Sequence, residues 1–317
     1  MNNPRCKICL EVLVEGETGY HASCCRKLFG GPQPPQVPYT WKDLNTLAEH
    51  IVRSHVAVPG VQPKLSLHLE RGSSRESDRF TLVGLEGGYI LKPPVKQYPQ
   101  MPELEHLTMR MAGCFGIETA DCGLVALEDE QTALIVRRMD RVDGRKLPME
   151  DMCQLTDRLT EDKYRGSLES VGKEILRHCT NPGWDALRFF EANLFCFLTG
   201  NADMHLKNFS LIGTLEGEIR LSPAYDLLAT VLLLPEDKEE TALTMRGRKK
   251  RLNRRDFVAL GEALQLTERQ ISNSFRRFEK GLNWASALVD HGFCSEEMKD
   301  RYKILLERRW RRLQPSA

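Results

Sequence analysis

The sequence predicts an α+β protein of two lobes, the first rich in strands and the second helical, with a small Cys/His-rich unit ahead of both. Three observations carry this. Short apolar runs bounded by Gly, Pro and charged residues recur between Lys64 and Asp140, as strands do. Past Pro148 the apolar spacing lengthens to that of helices. The chain has 317 residues, 41% of them apolar, enough to fill one large domain of two lobes. The divisions expected are residues 1–31 for the small unit, 32–38 for a linker, 39–140 for the first lobe and 141–317 for the second.

Composition narrows the setting. A net charge of +1 gives no global pull toward nucleic acid or an acidic membrane. The start, MNNPRC, does not read as a signal peptide, and the longest apolar run, Leu227 to Leu234, is too short to span a bilayer. Ten scattered cysteines without secretory context read as reduced thiols in a cytoplasm. No internal repeat or low-complexity tract is visible.

In CKICLEVLVEGETGYHASCCRKLFGG, Cys6 and Cys9 form a C-x-x-C pair, with His21 and Cys24 (or Cys25) after a hairpin-like stretch. Two readings stand. Four soft ligands at this spacing could close a tetrahedral zinc site that supplies the folding energy so small a unit lacks. Equally, the same residues could simply pack in a small core. PQPPQVP then reads as a stiff polyproline linker, and Lys42 to Ser54 as a helix with Leu44, Leu47 and Ile51 on one side. The next segment, HVAVPGVQPKLSLHLE, is a turn at Gly60 opening into a strand with Leu65, Leu67 and Leu69 alternating. With Lys64 nearby, its backbone could lie over phosphates, although one glycine is weak evidence.

GGYILKPP places Lys92 at the end of an apolar strand. A helix follows, MPELEHLTMRMAG, with Leu104, Leu107 and Met111 inward and Glu105 near its start, able to pair with Lys92. Strands around ADCGLVAL and QTALIVRRMD lead to a hinge at Arg137 to Asp140. The periodicity then predicts helices at Met149–Leu159 and Leu168–Cys179, and three more in the last third. MRGRKKRLNRRDF is strongly basic and reads as a solvated loop or face.

The densest cluster of polar residues is GNADMHLKNFS, Gly200 to Ser210, at the end of the helix WDALRFFEANLFCFL; PAYD follows a predicted hairpin. Asp203 and Asn208 stand five apart, the offset between catalytic base and metal-binding asparagine in protein-kinase loops. Asp226, 18 residues beyond Asn208, could share a divalent cation with it. An ionised carboxylate to orient a hydroxyl, hard oxygen ligands for Mg²⁺ and a cation for the phosphates are the parts phosphoryl transfer needs. Taken alone, the cluster has a plainer reading, in which Asn201 and Asp203 cap a turn and Asn208 satisfies backbone groups. In order, the parts read as a bilobal protein-kinase-like fold with ATP in its cleft.

VPGVQPKLS, YILKPP, the EHLTMRMA helix, VRRMDR, GNADMHLKNFS and PAYDLL, as an ordered set from about Pro59 onward, resemble the HipA-like serine/threonine kinase toxins of bacterial toxin–antitoxin systems. The compact N-terminus resembles the short form, HipT of the three-part HipBST systems. The resemblance implies a HipA-type kinase fold that binds ATP and Mg²⁺. It implies catalytic roles for Asp203 and Lys207, Mg²⁺ ligation by Asn208 and Asp226, and phosphate contact by Lys92. Pro59, Gly60, Val61, Gln62 and Lys64 would cover the nucleotide, Arg137 and Met139 would offer backbone groups to adenine, and His205 and Lys207 would line the nucleotide side.

Three partners are implied: an aminoacyl-tRNA synthetase as protein substrate, a small companion resembling the HipA N-terminal subdomain, and a HipB-like antitoxin. Nucleic acid would be met only through that DNA-binding antitoxin, and no membrane is involved. Departures are also visible. Ala57 stands where the family carries a self-phosphorylated serine, which leaves Ser54 as the candidate site. There is no G-x-G-x-x-G, no H-R-D arginine and no D-F-G. The competing readings are a nucleotide-binding subunit of a DNA-bound corepressor, with Arg246 to Arg255 as its nucleic-acid face, and a small-molecule phosphotransferase.

Overall fold

The computed structural model describes residues 4–54, 62–73, 76–84 and 86–315, and for residues 48–54 the backbone alone. The chain divides into two compact units. Unit one takes in residues up to Arg110 with Ala120–Met139 and His291–Cys294; unit two holds Met111–Thr119, Asp140–Asp290 and Ser295 onward.

Unit one begins with α1 (Ala22–Phe29) and α2 (Trp41–Ser54). The strands β1 (Leu65–Glu70), β2 (Arg79–Leu82) and β3 (Tyr89–Lys92) follow, then α3 (Met101–Ala112), β4 (Cys122–Ala126) and β5 (Thr132–Arg137). The five strands form one antiparallel sheet in the order β2-β1-β3-β5-β4, which makes β3 the central strand. Leu65 and Leu67 of β1 are buried, as the alternation predicts, and so are Leu104, Leu107 and Met111 of α3.

Residues 6–31 do not form a core of their own. Cys6, Ile8, Leu13, Cys25, Leu28 and Phe29 share one apolar cluster with Leu65, Leu67, Phe80, Tyr89, Leu91 and Ile135 of the sheet. The proline-rich segment is likewise no free spacer. Gln36 pairs with the chain around β2 (Gln36 N–H to Asp78 O, Phe80 N–H to Gln36 O, each 2.8 Å), and Val37 is buried in the same cluster. So short a segment buries more apolar surface against a ready-made sheet than it could alone.

Unit two opens with the hairpin β6 (Arg141–Val142) and β7 (Arg145–Lys146). Its turn is Asp143-Gly144, both at positive φ, as a two-residue hairpin loop requires. Then come β8 (Met149–Asp151), α4 (Met152–Leu155), α5 (Leu168–His178), α6 (Pro182–Thr199), β9 (Ser210–Gly213), β10 (Ile219–Leu221), α7 (Thr230–Leu233), α8 (Arg254–Ala263), α9 (Glu268–Val289) and α10 (Glu296–Arg311). Helix starts follow side-chain caps: Asp151 with Gln154, Ser167 with Ser170, Asn253 with Asp256 and Thr267 with Gln270 each form a reciprocal box.

The helix expected over Met149–Leu159 is a correction. Met149–Asp151 pairs with β9 instead, completing the sheet β10-β9-β8, and only Met152–Leu155 is helical. The edge of the predicted hairpin offers unpaired backbone groups, and pairing with them outweighs the local helical pattern. From Phe189 to Thr199, α6 is buried on every side, the mark of a central helix. In the basic stretch, Arg246 and Arg248 both reach the fully buried carboxylate of Asp256, so part of its charge is spent inside the fold. Tyr302, Leu305, Leu306 and Trp310 of α10 are buried, and that helix packs on α6 and α9. No helix of the described residues is long and apolar enough to cross a membrane.

One buried group makes unit one sensitive to acid. His106 of α3 is 1% exposed and its Nε2 lies 3.0 Å from the carbonyl of Ile8. Burial holds its pKa down to about 4, against the opposing pull of the Ile8 carbonyl and with some help from Arg110. The unfolded chain takes up this proton near pH 6.5 and the folded chain only near pH 4. Stability from this group is therefore intact above the unfolded value and is lost as pH falls through that window, by about 3 kcal/mol in full. We expect unfolding of unit one at pH 7 and pH 4.5 to show a larger acid loss in wild type than in His106→Asn. Equal losses would count against this account.

Candidate active site

The residues singled out in the sequence fall into two sets, one in each unit. In unit one the set centres on Lys92. Leu91 and Tyr89 turn into the core shared with α1, so strand alternation turns Lys92 to the opposite face. There its ammonium donates to Glu105 Oε1 of α3 in a short ion pair, with side-chain exposures of only 4% and 2%. Desolvating two charges costs several kcal/mol each, which only close geometry offsets. A buried lysine–glutamate pair is thus a candidate for function.

Gln62, 7% exposed, donates from Nε2 to the carbonyl of Pro93, at 3.2 Å, beside Lys92. Lys64 is exposed just ahead of β1. The amide of Arg137 is taken by Asp121 O at 2.8 Å, and its guanidinium by Asp121 and by Lys27 O. Met139 follows in a turn, half-buried. Pro59, Gly60 and Val61 lie outside the described residues, as does the side chain of Ser54, the last residue of α2.

In unit two, α6 delivers the second set. It stops at Gly200, whose φ of +72° suits glycine and whose N–H bonds back to Cys196 O and Phe197 O. A Cβ there would also lie 2.3 Å from Val231 Cγ1, so any other residue would have to displace that side chain. The loop beyond is tied down by its own side chains. Asn201 Oδ1 accepts from Asp203 N–H at 3.1 Å, and Asn201 Nδ2 donates to Asp226 O at 3.3 Å. Asn208 Nδ2 donates to Asp203 O at 2.9 Å. The Tyr225 hydroxyl donates to Lys207 O at 2.8 Å and lies 2.6 Å from Ser210 Oγ. GNADMHLKNFS and PAYD are therefore one hydrogen-bonded knot. Asp226 sits in it at φ +55°, a left-handed conformation that aspartate tolerates better than most residues.

Two residues in this set carried no signal in the sequence. The Tyr164 hydroxyl donates to Asp203 Oδ1 at 2.8 Å. Burial and the Asp203 charge raise the pKa of that phenol, so it stays a donor. Its ring meets the buried His205 edge to face, centroids 5.0 Å apart. Asp151 Oδ2 accepts from Lys207 Nζ at 2.8 Å, while Asp151 Oδ1 caps α4. Both are remote in sequence from the loop they meet.

Chemically, Asp203 is an oriented carboxylate whose Oδ1 is occupied by a phenol, so Oδ2 is the oxygen that can accept a hydroxyl proton. Asn208 commits its nitrogen to the loop, which leaves its oxygen as a hard ligand. An amide oxygen and the carboxylate of Asp226 are both hard donors of the kind Mg²⁺ prefers.

The chain is similar to known proteins over most of its length. Residues 56–284 match the family model described as the HipA-like C-terminal domain. A Haemophilus influenzae (strain Rd) protein provisionally named a kinase is 31% identical over 257 residues, covering 76% of this chain and 72% of the relative. The serine/threonine-protein kinase toxin HipA of Shewanella oneidensis is 28% identical over 201 residues, 56% of this chain and 44% of that protein. Among solved structures, the Shewanella complex of HipA, HipB and operator DNA superposes with a TM-score of 0.66 at 24% identity, covering 81% of this chain and 65% of that one. The Helicobacter pylori proinflammatory kinase CtkA gives 0.54 at 16% identity, over 78% of this chain and 94% of its own. The fold is thus the mixed helix-and-sheet, kinase-like fold of HipA and CtkA.

The Lys92–Glu105 pair has a stability signature. Lys92→Met and Glu105→Leu each leave an uncompensated buried charge and should destabilise unit one by about 3–5 kcal/mol. The double variant should recover a large part of the loss. A double variant whose loss equals the sum of the two would argue against coupling, as read by denaturant unfolding.

Proposed function

Because the chain belongs to the family of HipA-like C-terminal domains, we propose that it is an ATP-dependent serine/threonine protein kinase acting as the toxin of a HipBST-like toxin–antitoxin system. The observation that carries this reading is the buried Lys92–Glu105 pair on the central strand and the following helix. Kinases require that pair to be in place.

In this reading Lys92 contacts the nucleotide phosphates, Asn208 and Asp226 hold Mg²⁺, and Asp203 takes the proton of the acceptor hydroxyl. Bound Mg²⁺ supplies charge to the β- and γ-phosphates. This chain's residues do the rest. Tyr164 fixes the rotamer of the Asp203 carboxylate, Asn201 and Tyr225 hold the two loops together, and Asp151 restrains Lys207. His205 packs beneath this loop against Tyr164. Gln62 and Lys64, with Pro59, Gly60 and Val61, form the nucleotide-covering segment, and Arg137 and Met139 lie at the adenine end.

The acceptor we propose is a serine of an aminoacyl-tRNA synthetase, whose modification stops translation in the cytoplasm. The partners are a HipB-like DNA-binding antitoxin, in keeping with the solved HipA–HipB–operator complex, and a small companion resembling the HipA N-terminal subdomain.

Labelled ATP tests the activity. Asp203→Ala should lower phosphate transfer to protein roughly 10²- to 10⁴-fold, the usual contribution of a positioned base. Nucleotide binding without transfer in wild type and variant alike would favour a non-catalytic subunit. Label on metabolites rather than protein would favour a small-molecule phosphotransferase. A second experiment concerns self-modification. Phosphate on Ser54 would bring about −1.5 to −2 charges beside the nucleotide-covering segment and push it outward. Peptide mapping after incubation with Mg-ATP should find that phosphate, and an active enzyme with Ser54 unmodified would refute the assignment.

A further inference from the structure

The N-terminal C-x-x-C and the two ligand candidates that follow it lie outside the matched family segment and outside the proposed chemistry. The fold brings them together. The Sγ atoms of Cys6, Cys9 and Cys24 and a ring nitrogen of His21 all lie within 4.8 Å of one another. His21 Nδ1 is 3.3 Å from Cys9 Sγ and 3.8 Å from Cys24 Sγ. Bond lengths of about 2.3 Å to sulfur and 2.0–2.1 Å to nitrogen set the edges of a tetrahedral zinc site at ~3.6–3.8 Å. All ten cysteines are free, so the cluster holds no disulfide. Cys25, the other candidate, is fully buried in the apolar cluster and is not part of the group.

The surroundings favour a ligand set over a merely packed one. His21 Nε2 lies 3.0 Å from the carbonyl of Val12. Donating there fixes the tautomer and leaves the Nδ1 lone pair among the three sulfurs, the arrangement metal-bound histidines adopt. Glu17 stands behind the same ring, 3.7 Å from Nε2, and its other oxygen accepts from Ala22 N–H at the start of α1. The backbone N–H of His21 points at Cys6 Sγ, at 3.4 Å. The turn from Cys6 closes through Leu10 N–H to Cys6 O, at 3.0 Å, with Leu10 at φ +68°. A leucine in that conformation is strained, and something must hold the turn.

We propose that Cys6, Cys9, His21 Nδ1 and Cys24 form a structural zinc site that braces β4 and α3 of unit one. The bracing is explicit in the contacts. Between Cys6 and Cys9, the carbonyl of Lys7 accepts from Leu124 N–H of β4 at 2.9 Å, and the carbonyl of Ile8 faces His106 of α3. Next to His21 in the chain, the Tyr20 hydroxyl donates to Leu124 O at 2.9 Å. Glu105, the partner of Lys92, is the neighbour of His106 in α3. Zinc would tie the Cys6–Cys9 turn to the start of α1, adding a cross-link to the apolar cluster that the segment already shares with the sheet. The inference stands apart from the kinase reading, since none of the four ligands is assigned to catalysis.

The test uses the full chain, produced in zinc-supplemented medium. Elemental analysis after dialysis should find one zinc per chain. A strong chelator should remove it, lowering the melting temperature by about 5 °C or more. Cobalt added back to the stripped wild type should give the visible bands of a tetrahedral site and the near-ultraviolet charge transfer of thiolate ligation. That readout needs no variant. Hydrogen exchange at residues 101–112 and 122–126 should rise when the metal is removed and fall when it is restored. Cys24→Ser should lose the metal and Cys25→Ser should keep it. Substoichiometric zinc together with absent cobalt bands would overturn the site, and unchanged exchange in the metal-free chain would overturn the bracing.

Discussion

The ion pair between Lys92 and Glu105 sets a strict constraint on unit one. An ammonium and a carboxylate with almost no exposure survive only where their partners are fixed, because a small displacement leaves desolvated charge uncompensated. The central strand and the fully buried apolar face of α3 supply that fixity. The strands on either side of β3 and the shared apolar cluster beneath it can be understood as support for one amine at one depth. Gln62, bonded to the carbonyl of Pro93, continues that support into the segment entering β1.

Unit two meets a different problem, since it must hold several polar groups on irregular backbone. It does so by tying side chains to main chain. Asn201, Asn208 and Tyr225 all bond to backbone groups of the loop pair, leaving fewer ways for the loop to rearrange. The carboxylate of Asp203 and the ammonium of Lys207 are then each met by one further side chain, Tyr164 and Asp151. A functional group carried on a loop is precise only when such a surrounding shell exists. The buried α6 behind the loop gives that shell a rigid base.

The segment before the family-matched region belongs physically to the first sheet. Its cysteines and histidine converge on one point while its apolar residues enter the sheet's core. A tether of this kind adds stability without lengthening the sheet. It places the support beside α3, on which the Lys92–Glu105 pair depends.

Much of this was legible in the residues. Alternation in LSLHLE and YILK, the inward leucines of α3, the glycine ending α6, and the spacing of Asp203, Asn208 and Asp226 are local patterns, and local patterns follow from backbone geometry and side-chain chemistry alone. The sequence thereby determined the class of fold, the order of its parts and the identity of the polar cluster. Other features were decided only by the folded chain: β8 where a helix was expected, the merging of residues 6–31 and the proline-rich segment into the sheet's core, and Tyr164 and Asp151 beside the catalytic-type loop. Each depends on a partner tens of residues away. Strand pairing and polar satisfaction reward whatever group the fold brings near, and no short window of sequence contains that group.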